Sequence, residues 1–414
     1  MNNKRKELEV YLVGGAVRDE LLGREVRDRD WVVVGATPRD MIDRGYKPVG
    51  QEFPVFLHPE TKEEYALARK ERKTGPGYKG FAFEFSPDVS LKEDLMRRDL
   101  TINAMARDAG GELIDYFGGR RDLENGILRH VSPAFSDDPV RLLRIARFRA
   151  RYGYAIAEET RQLLIDIVKR GEVDALVAER VWQELDSALV EPQPHLFIET
   201  LRDCGALARI FPQIDALFGV PQRKEYHPEI DTGVHTLMAL TQARAQTDDP
   251  VILFAVLVHD LGKTVTPQEE WPRHYRHEIM GLEPIDELCD RYRAPTRYRV
   301  FARHVCRYHL HMHRLKELKP GTVVKLIETL GGFRDPGRID QFIVACRADA
   351  RGRKGMENDP YPQGDLLKRC FEAASRVSAS DIAERFSKGN EIGEALFQER
   401  CQTIKAVLSE ENRG

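Results

Sequence analysis

Val13-Gly14-Gly15-Ala16-Val17-Arg18-Asp19, followed closely by Asp28-Arg29-Asp30-Trp31-Val32-Val33-Val34, decides the fold of the first part of this chain. A glycine pair ends an apolar, strand-like run at 10–13 and opens a helix. A charged loop then leads into a second strand whose start carries aspartates at i and i+2. Side chains at i and i+2 of a strand point to one face. Two carboxylates there, beside a glycine turn able to cradle phosphates, make a site for Mg²⁺ and a triphosphate. Metal ions so held can activate an attacking hydroxyl and neutralise a pyrophosphate leaving group, the chemistry of nucleotidyl transfer. Taken singly, a Gly-Gly turn or an Asp-x-Asp pair is also ordinary loop and strand-edge material.

The run 31–34 is apolar and largely β-branched, so it predicts a buried strand. Charges at the mouth of such a strand are costly unless they serve something. Working outward, residues 1–134 have the pattern of a mixed α/β unit. Short strands are expected at 10–13, 31–34, 55–57 and 65–68, divided by Gly and Pro. The basic, glycine-rich segment Lys70 to Gly80 has the composition of a mobile loop. Asp137-Asp138-Pro139 predicts a helix start. From there the pattern is helical: Leu142, Ile145, Ala146 and Phe148, then Leu163, Leu164 and Ile167, then Val181, Leu185 and Leu189. Breaks are expected near Pro221–Pro228 and Pro336-Gly337.

The 414 residues suffice for about three domains. With 42% hydrophobic and 32% charged residues, the composition is that of an ordinary water-soluble chain. No apolar run approaches the ~20 residues a membrane span needs. The N-terminus lacks the apolar core of a signal peptide. Six cysteines without a Cys-x-x-Cys motif fit free thiols in a reducing cytoplasm. A net charge of −3 does not announce a nucleic-acid partner, yet 64 Lys and Arg residues can still be concentrated on one face.

Two arginine motifs follow the aspartates. Arg97-Arg98-Asp99-Leu100-Thr101-Ile102-Asn103-Ala104 lies where a short helix should begin. On the next helix Asp138, Arg141, Arg144 and Arg147 recur every three residues and share one slowly rotating face. One reading is a solvated stripe of salt bridges. The other is base selection. Asp138 can accept from the amino group of cytosine or adenine while Arg141 donates to the ring acceptor. Guanine and uracil present a carbonyl oxygen where Asp138 needs a donor, at a cost of about 1–3 kcal/mol. Arg144 and Arg147 could then bind triphosphate.

Together these segments resemble the bacterial class II CCA-adding tRNA nucleotidyltransferases. The matching residues are Gly14-Gly15-x-Val17-Arg18-Asp19, Asp28-x-Asp30, the 97–104 segment, Asp138-x-x-Arg141 and Glu179-Arg180-x-x-x-Glu184, in family order over roughly the first 190 residues. The resemblance implies a head domain holding Mg²⁺ on Asp28 and Asp30, and a helical neck selecting bases through Asp138 and Arg141. It also implies that Gly15, Arg18, Arg98, Arg144 and Arg147 contact the incoming CTP or ATP. Asp137 departs from the family, which usually has glutamate there.

A second constellation lies in the third quarter, where histidines are concentrated. Leu253-Phe254-Ala255-Val256-Leu257-Val258-His259-Asp260-Leu261-Gly262-Lys263 is an apolar helix ending in His-Asp, preceded by Gly233-Val234-His235-Thr236. This resembles the HD phosphohydrolase superfamily. The resemblance maps His235, His259 and Asp260 as metal ligands, with Asp349 as the candidate fourth. His274 and His277 are candidate additions. The His304–His313 group is taken as a solvated or RNA-facing patch. A CCA-type head joined to an HD domain is the layout of the multifunctional CCA proteins of proteobacteria. That layout implies phosphatase and 2′,3′-cyclic phosphodiesterase activities, the phosphatase aided by a transition metal such as Ni²⁺.

The expected architecture is α+β: a small mixed nucleotidyltransferase head sheet with helices, then an all-helical neck, HD domain and tail. The expected division is 1–134 head, 135–226 neck, 227–333 HD domain and 334–414 tail contacting tRNA. The expected function is template-free addition of CCA to tRNA from CTP and ATP. Cytoplasmic location, no membrane partner, and a monomer or weak homodimer complete the reading. A poly(A) polymerase, an enzyme adding only CC or only A, a phosphohydrolase with a nucleotide-sensing head, and a non-catalytic tRNA binder remain open.

Overall fold

The computed structural model describes residues 8–411 apart from 27, 50–54, 74–80, 85 and 387. Strands β1 (Glu9–Val13) and β2 (Asp30–Val34) are antiparallel neighbours at the heart of a mixed sheet. With β3 (Lys47–Val49), β4 (Val55–Leu57), β5 (Glu64–Leu67), β8 (Ala106–Arg107) and β9 (Leu113–Ile114), they form a seven-stranded sheet ordered β3-β4-β5-β2-β1-β8-β9. Within this sheet only β2 and β5 run parallel; a separate parallel pair, Ile127–Leu128 with Ala155–Ile156, places one short strand in the neck expected to be all-helical. Val32 packs with Val13, Leu95 and Ala106 on one face, and Val33 with Met41, Phe56 and Leu67 on the other. Burial of both faces explains the unbroken apolar run at 31–34.

Three further expectations need correction. Lys70–Lys73 is strand β6, paired antiparallel with β7 (Phe81–Glu84), rather than loop. Extended backbone pairing can override the polar composition of such a segment. Residues 74–80 of the expected loop lie outside the described residues. Asp28 precedes β2, which starts at Asp30, so the two aspartates do not share a strand. The helix expected from 137–139 starts at Val140, because residues 133–137 wind as a 3-10 turn and the Asp138 carboxylate accepts from the Val140 amide at 3.1 Å.

The chain divides into two compact units, Met1–Glu184 with Asp203–Ala206, and Leu185–Arg202 with Leu207–Gly414. In the first, a capping box of Ser90 and Glu93 starts the helix Leu91–Met96. That helix carries Asp94, fully buried, which holds Arg97 at 2.9 Å and Arg98 at 3.4 Å. The helix Val140–Tyr152 buries Leu142, Leu143, Ile145 and Ala146 and turns its arginines outward from that stripe.

In the second unit every described element is helical. Pro250–Val258 is the central helix, capped by Asp249 and buried from Ile252 to Val258. Around it pack Thr232–Arg244, Thr296–His313 and Gly337–Arg351. All six cysteines are free, five of them buried. Among the described residues no helix is long and apolar enough to cross a membrane.

Candidate functional sites

Val13, the last residue of β1, is the partner of Asp30, the first residue of β2. The glycine turn at 14–15 therefore lies beside the aspartate corner. Gly14 has φ 72°, and a Cβ there would stand 2.7 Å from Arg98 Nη1. Glycine lets the turn close against that guanidinium. Asp28 and Asp30 are exposed, and no described side chain bonds either carboxylate. Glu64, opposite Asp30 on the parallel neighbour β5, brings a third carboxyl-bearing residue to this corner that sequence reading missed. Hard carboxylate oxygens left open to solvent fit Mg²⁺, which keeps several of its waters. Arg98 has a buried Nε with no partner among the described residues.

Arg18 is buried and fully engaged. It holds Asp19 through two bonds of 2.9 Å and Asn103 through a third, and it lies over the rings of Phe148 and Tyr152. On the helix Val140–Tyr152 each arginine of the three-residue stripe is held differently. Arg141 donates to the carbonyls of Ala134 and Arg97 at 2.8 and 2.7 Å. Arg144 pairs with Asp99 at 2.8 Å, and Arg147 with Glu184 at 2.7 Å. Asp138 is gripped by Arg180 at 3.2 and 2.9 Å. Asp99, Arg180 and Glu184 thus orient the residues read as base- and phosphate-binding. Burial works against the Asp99 charge, but Arg144, Asn103 and the Leu100 amide together outweigh it and hold the carboxyl at about 2.

The second unit gathers residues from four helices. His235 comes from Thr232–Arg244, His259 and Asp260 from the end of the central helix, His309 and His313 from Thr296–His313, and Asp349 from Gly337–Arg351. His277 opens the short helix His277–Met280. That helix reaches the cluster because residue 262 is glycine. A Cβ there would stand 1.9 Å from the His277 carbonyl oxygen.

The Nδ1 atoms of His235, His259, His277 and His309 face the carbonyls of Gly352, Val256, His274 and Cys306 at 2.7–2.9 Å. A carbonyl only accepts, so each Nδ1 donates and each Nε2 is left for the interior. His235 Nε2 lies 3.0 Å from Asp349 Oδ1, and His259 Nε2 is 3.3 Å from Asp260 Oδ2 and 3.6 Å from Asp349 Oδ1. The other oxygen of Asp260 lies 3.6 Å from His277 Nε2 and 4.0 Å from His309 Nε2. Asp260 therefore joins two ligand groups, His235–His259–Asp349 and Asp260–His277–His309.

The electrostatics fit a cation. Burial opposes charge on His259, yet Asp260 and Asp349 outweigh it and hold the imidazole up at about 10, so a metal cation binding there must displace the proton on Nε2. Burial keeps His277 and His309 below the ordinary histidine range, in the neutral form that binds metal. Buried His259 Nε2 and Asp260 Oδ1 lack an aligned hydrogen-bond partner among the described residues. Two buried carboxylates and four inward Nε2 atoms are a donor set for a divalent transition metal.

The structure corrects the reading of the later histidines. His274 turns away: its Nε2 donates to the Pro221 carbonyl and its Nδ1 faces Thr266. The 304–313 segment is not a solvated patch, since His309 is buried in the cluster and His313 lies 2.7 Å from Asp349. The four-residue spacing of His309 and His313 on one helix face was the signal that could have found them.

Residues 10–129 match the family described as Poly A polymerase head domain. Residues 153–218 match the probable RNA and SrmB-binding site of polymerase A, and residues 232–351 the HD domain. Fold and sites define a nucleotidyltransferase head followed by an HD domain. A multifunctional CCA protein of Nitrosococcus oceani is 56% identical over 98% of this chain and 100% of its own length. One from Alkalilimnicola ehrlichii is 57% identical over 97% of this chain and 98% of its own. The chain belongs to the family of multifunctional CCA proteins. The fold is that of a CCA-adding enzyme solved with ATP, with a TM-score of 0.65, 22% identity, and coverage of 98% of this chain and 89% of that one. A Thermotoga maritima CCA-adding enzyme complexed with tRNA aligns with a TM-score of 0.62 and 21% identity, over 97% of this chain and 91% of its own.

Proposed function

We propose that this chain builds and repairs the 3′-terminal CCA of tRNA without a nucleic-acid template, consuming CTP and ATP and releasing pyrophosphate. The observation that carries this reading is the register of Val13 with Asp30, which sets the glycine turn against the aspartate corner. Asp28 and Asp30 would hold Mg²⁺, which makes the tRNA 3′-hydroxyl a better nucleophile and screens the leaving pyrophosphate. Gly15, Arg18 and Arg98 line the triphosphate side. Asp138 and Arg141 select the base, and Arg144 and Arg147 extend the basic face. The names of the full-length relatives favour CCA addition over poly(A) synthesis.

The second unit adds phosphatase and 2′,3′-cyclic phosphodiesterase activity. His235, His259, Asp260 and Asp349 would hold one divalent ion such as Ni²⁺, and Asp260 with His277 and His309 a second. Such ions polarise a phosphoryl group and activate water. The working division is 1–134 for nucleotidyl transfer, 135–226 for base selection, 227–333 for the HD domain and 334–414 for tRNA contact, with Asp349 reaching into the HD site from the last segment. The enzyme acts in the cytoplasm.

The test is incorporation of labelled CTP and ATP into tRNA lacking its CCA end, with GTP and UTP as controls. Two C then one A, abolished in Asp28→Ala, is the expected result. Long A tracts or incorporation limited to C or to A would replace this reading.

A further inference from the structure

Beside the histidine cluster lies a polar pair that metal binding leaves unused. Lys263 Nζ donates to Asp260 Oδ2 at 2.6 Å and to Oε1 of Gln222. An ammonium group offers only donors, so it dictates which end of the Gln222 amide faces it. The planar carboxamide must then present its NH₂ on the other side. Gln222 is 4% exposed, and its Nε2 finds no acceptor among the described residues. The residue cannot swing away easily. Its backbone amide donates to the Ile230 carbonyl at 2.6 Å, and the preceding Pro221 carbonyl accepts from His274 Nε2 at 2.7 Å. Gln222 lines a cavity of about 620 Å³ that also contains Asp260, His277, His309 and Asp349. Arg353 lines the same cavity, and its Nε is likewise buried without a partner among the described residues.

Two buried donors beside a cluster of metal-binding atoms call for an acceptor-rich, anionic ligand. We propose that Gln222 Nε2 and Arg353 donate to the non-bridging oxygens of the phosphoryl group that the HD site hydrolyses. Gln222 thereby becomes a catalytic residue of that reaction. This inference rests on the phosphohydrolase reading of the site. In that reaction a water oxygen bonds to phosphorus as the ester P–O bond breaks. One water proton goes to the leaving oxygen and the other remains with the phosphate. Charge on the non-bridging oxygens is shared with Gln222 and Arg353 throughout. Lys263 is the positioning residue, because it fixes the face of the amide.

The experiment is calorimetric titration of inorganic phosphate into the full-length, metal-loaded protein. Wild type is compared with Gln222→Met, which removes the donor at similar volume, and Gln222→Glu, which keeps an oxygen facing Lys263 but opposes the anion. Metal content by atomic spectroscopy and melting temperature are read for each. Phosphate affinity at least about 10-fold weaker in both variants, with metal content at the wild-type level, is the expected result. Unchanged affinity in both variants overturns the role of Gln222 alone. If wild type loads metal yet neither binds phosphate nor hydrolyses p-nitrophenyl phosphate, the phosphohydrolase reading falls and takes the role of Gln222 with it. Should Gln222→Met not fold, Gln222→Glu alone decides, because it retains the lysine contact.

Discussion

Arg180 grips the carboxylate of Asp138 with both terminal nitrogens, at 3.2 and 2.9 Å. A carboxylate has about four acceptor positions, so this grip fixes the plane of Asp138 and leaves acceptor capacity for a base. Arg180→Ala should release that orientation. Discrimination of CTP and ATP against GTP and UTP is expected to fall by roughly 10-fold or more, within the range of one base contact. Incorporation of each nucleotide into tRNA lacking CCA measures it. Unchanged discrimination would remove Arg180 from base selection.

Asp28 and Asp30 are exposed and bonded by no described side chain. Asp28→Ala should therefore leave the melting temperature near wild type, with a stability change within about 0.5 kcal/mol. Nucleotide incorporation should fall by at least about 100-fold. A parallel loss of stability and activity would mark Asp28 as structural.

Asp260 forms a group with His277 and His309 through one oxygen and faces His259 at 3.3 Å through the other, whereas His309 belongs to one group. Wild type is expected to bind two divalent ions per chain. His309→Ala should lower the count by one, and Asp260→Ala should weaken both sites. Equilibrium dialysis against Ni²⁺ or Mn²⁺ followed by metal analysis gives the counts. Binding of a single ion by wild type would reduce the second group to a structural role.

Gly262 meets the His277 carbonyl so closely that any side chain would displace backbone. Gly262→Ala is expected to cost about 3 kcal/mol or more, since the clash is with main chain rather than a flexible side chain. Thermal or urea unfolding reads the loss. A wild-type midpoint would show that the helix His277–Met280 can shift freely.

The Asp99–Arg144 pair predicts a pH dependence. With its folded value at about 2, below the ordinary aspartate range, Asp99 stabilises the fold fully above about pH 4. That contribution is lost as pH falls from 4 towards 2. Asp99→Asn should thus be less stable than wild type by about 2 kcal/mol at neutral pH, and the gap should close in that acidic window. Melting temperatures of both proteins from pH 7 to the lowest pH at which they still fold cooperatively test this. A gap independent of pH would place the effect in packing.

Much was legible in the sequence because local rules governed it. The strands at 10–13 and 31–34 follow from β-branched apolar runs between turns, and the helical second unit follows from apolar periodicity. The turn and the Asp pair were legible from the order glycine turn, helix, charged loop and apolar strand, whereas the antiparallel pairing of β1 with β2 that brings them together came from the structure. His259-Asp260 stood out because polar residues closing a wholly apolar helix are costly unless they are used.

What the sequence by itself determined was therefore the strands at 10–13 and 31–34, the helical character of the later chain, and the identity of the first metal-ligand candidates. Tertiary structure alone decided which partners each charge would have. Asp138 meets Arg180, Arg144 meets Asp99, and Asp349 meets His235 across long chain separations that no local period encodes. It also separated His274 from His277 and drew His309 and His313 into the cluster. A histidine becomes a candidate ligand only when a carbonyl fixes its Nδ1 and packing aims its Nε2 at a shared centre. Both conditions depend on how four helices meet around Asp260 rather than on any residue's neighbours in sequence.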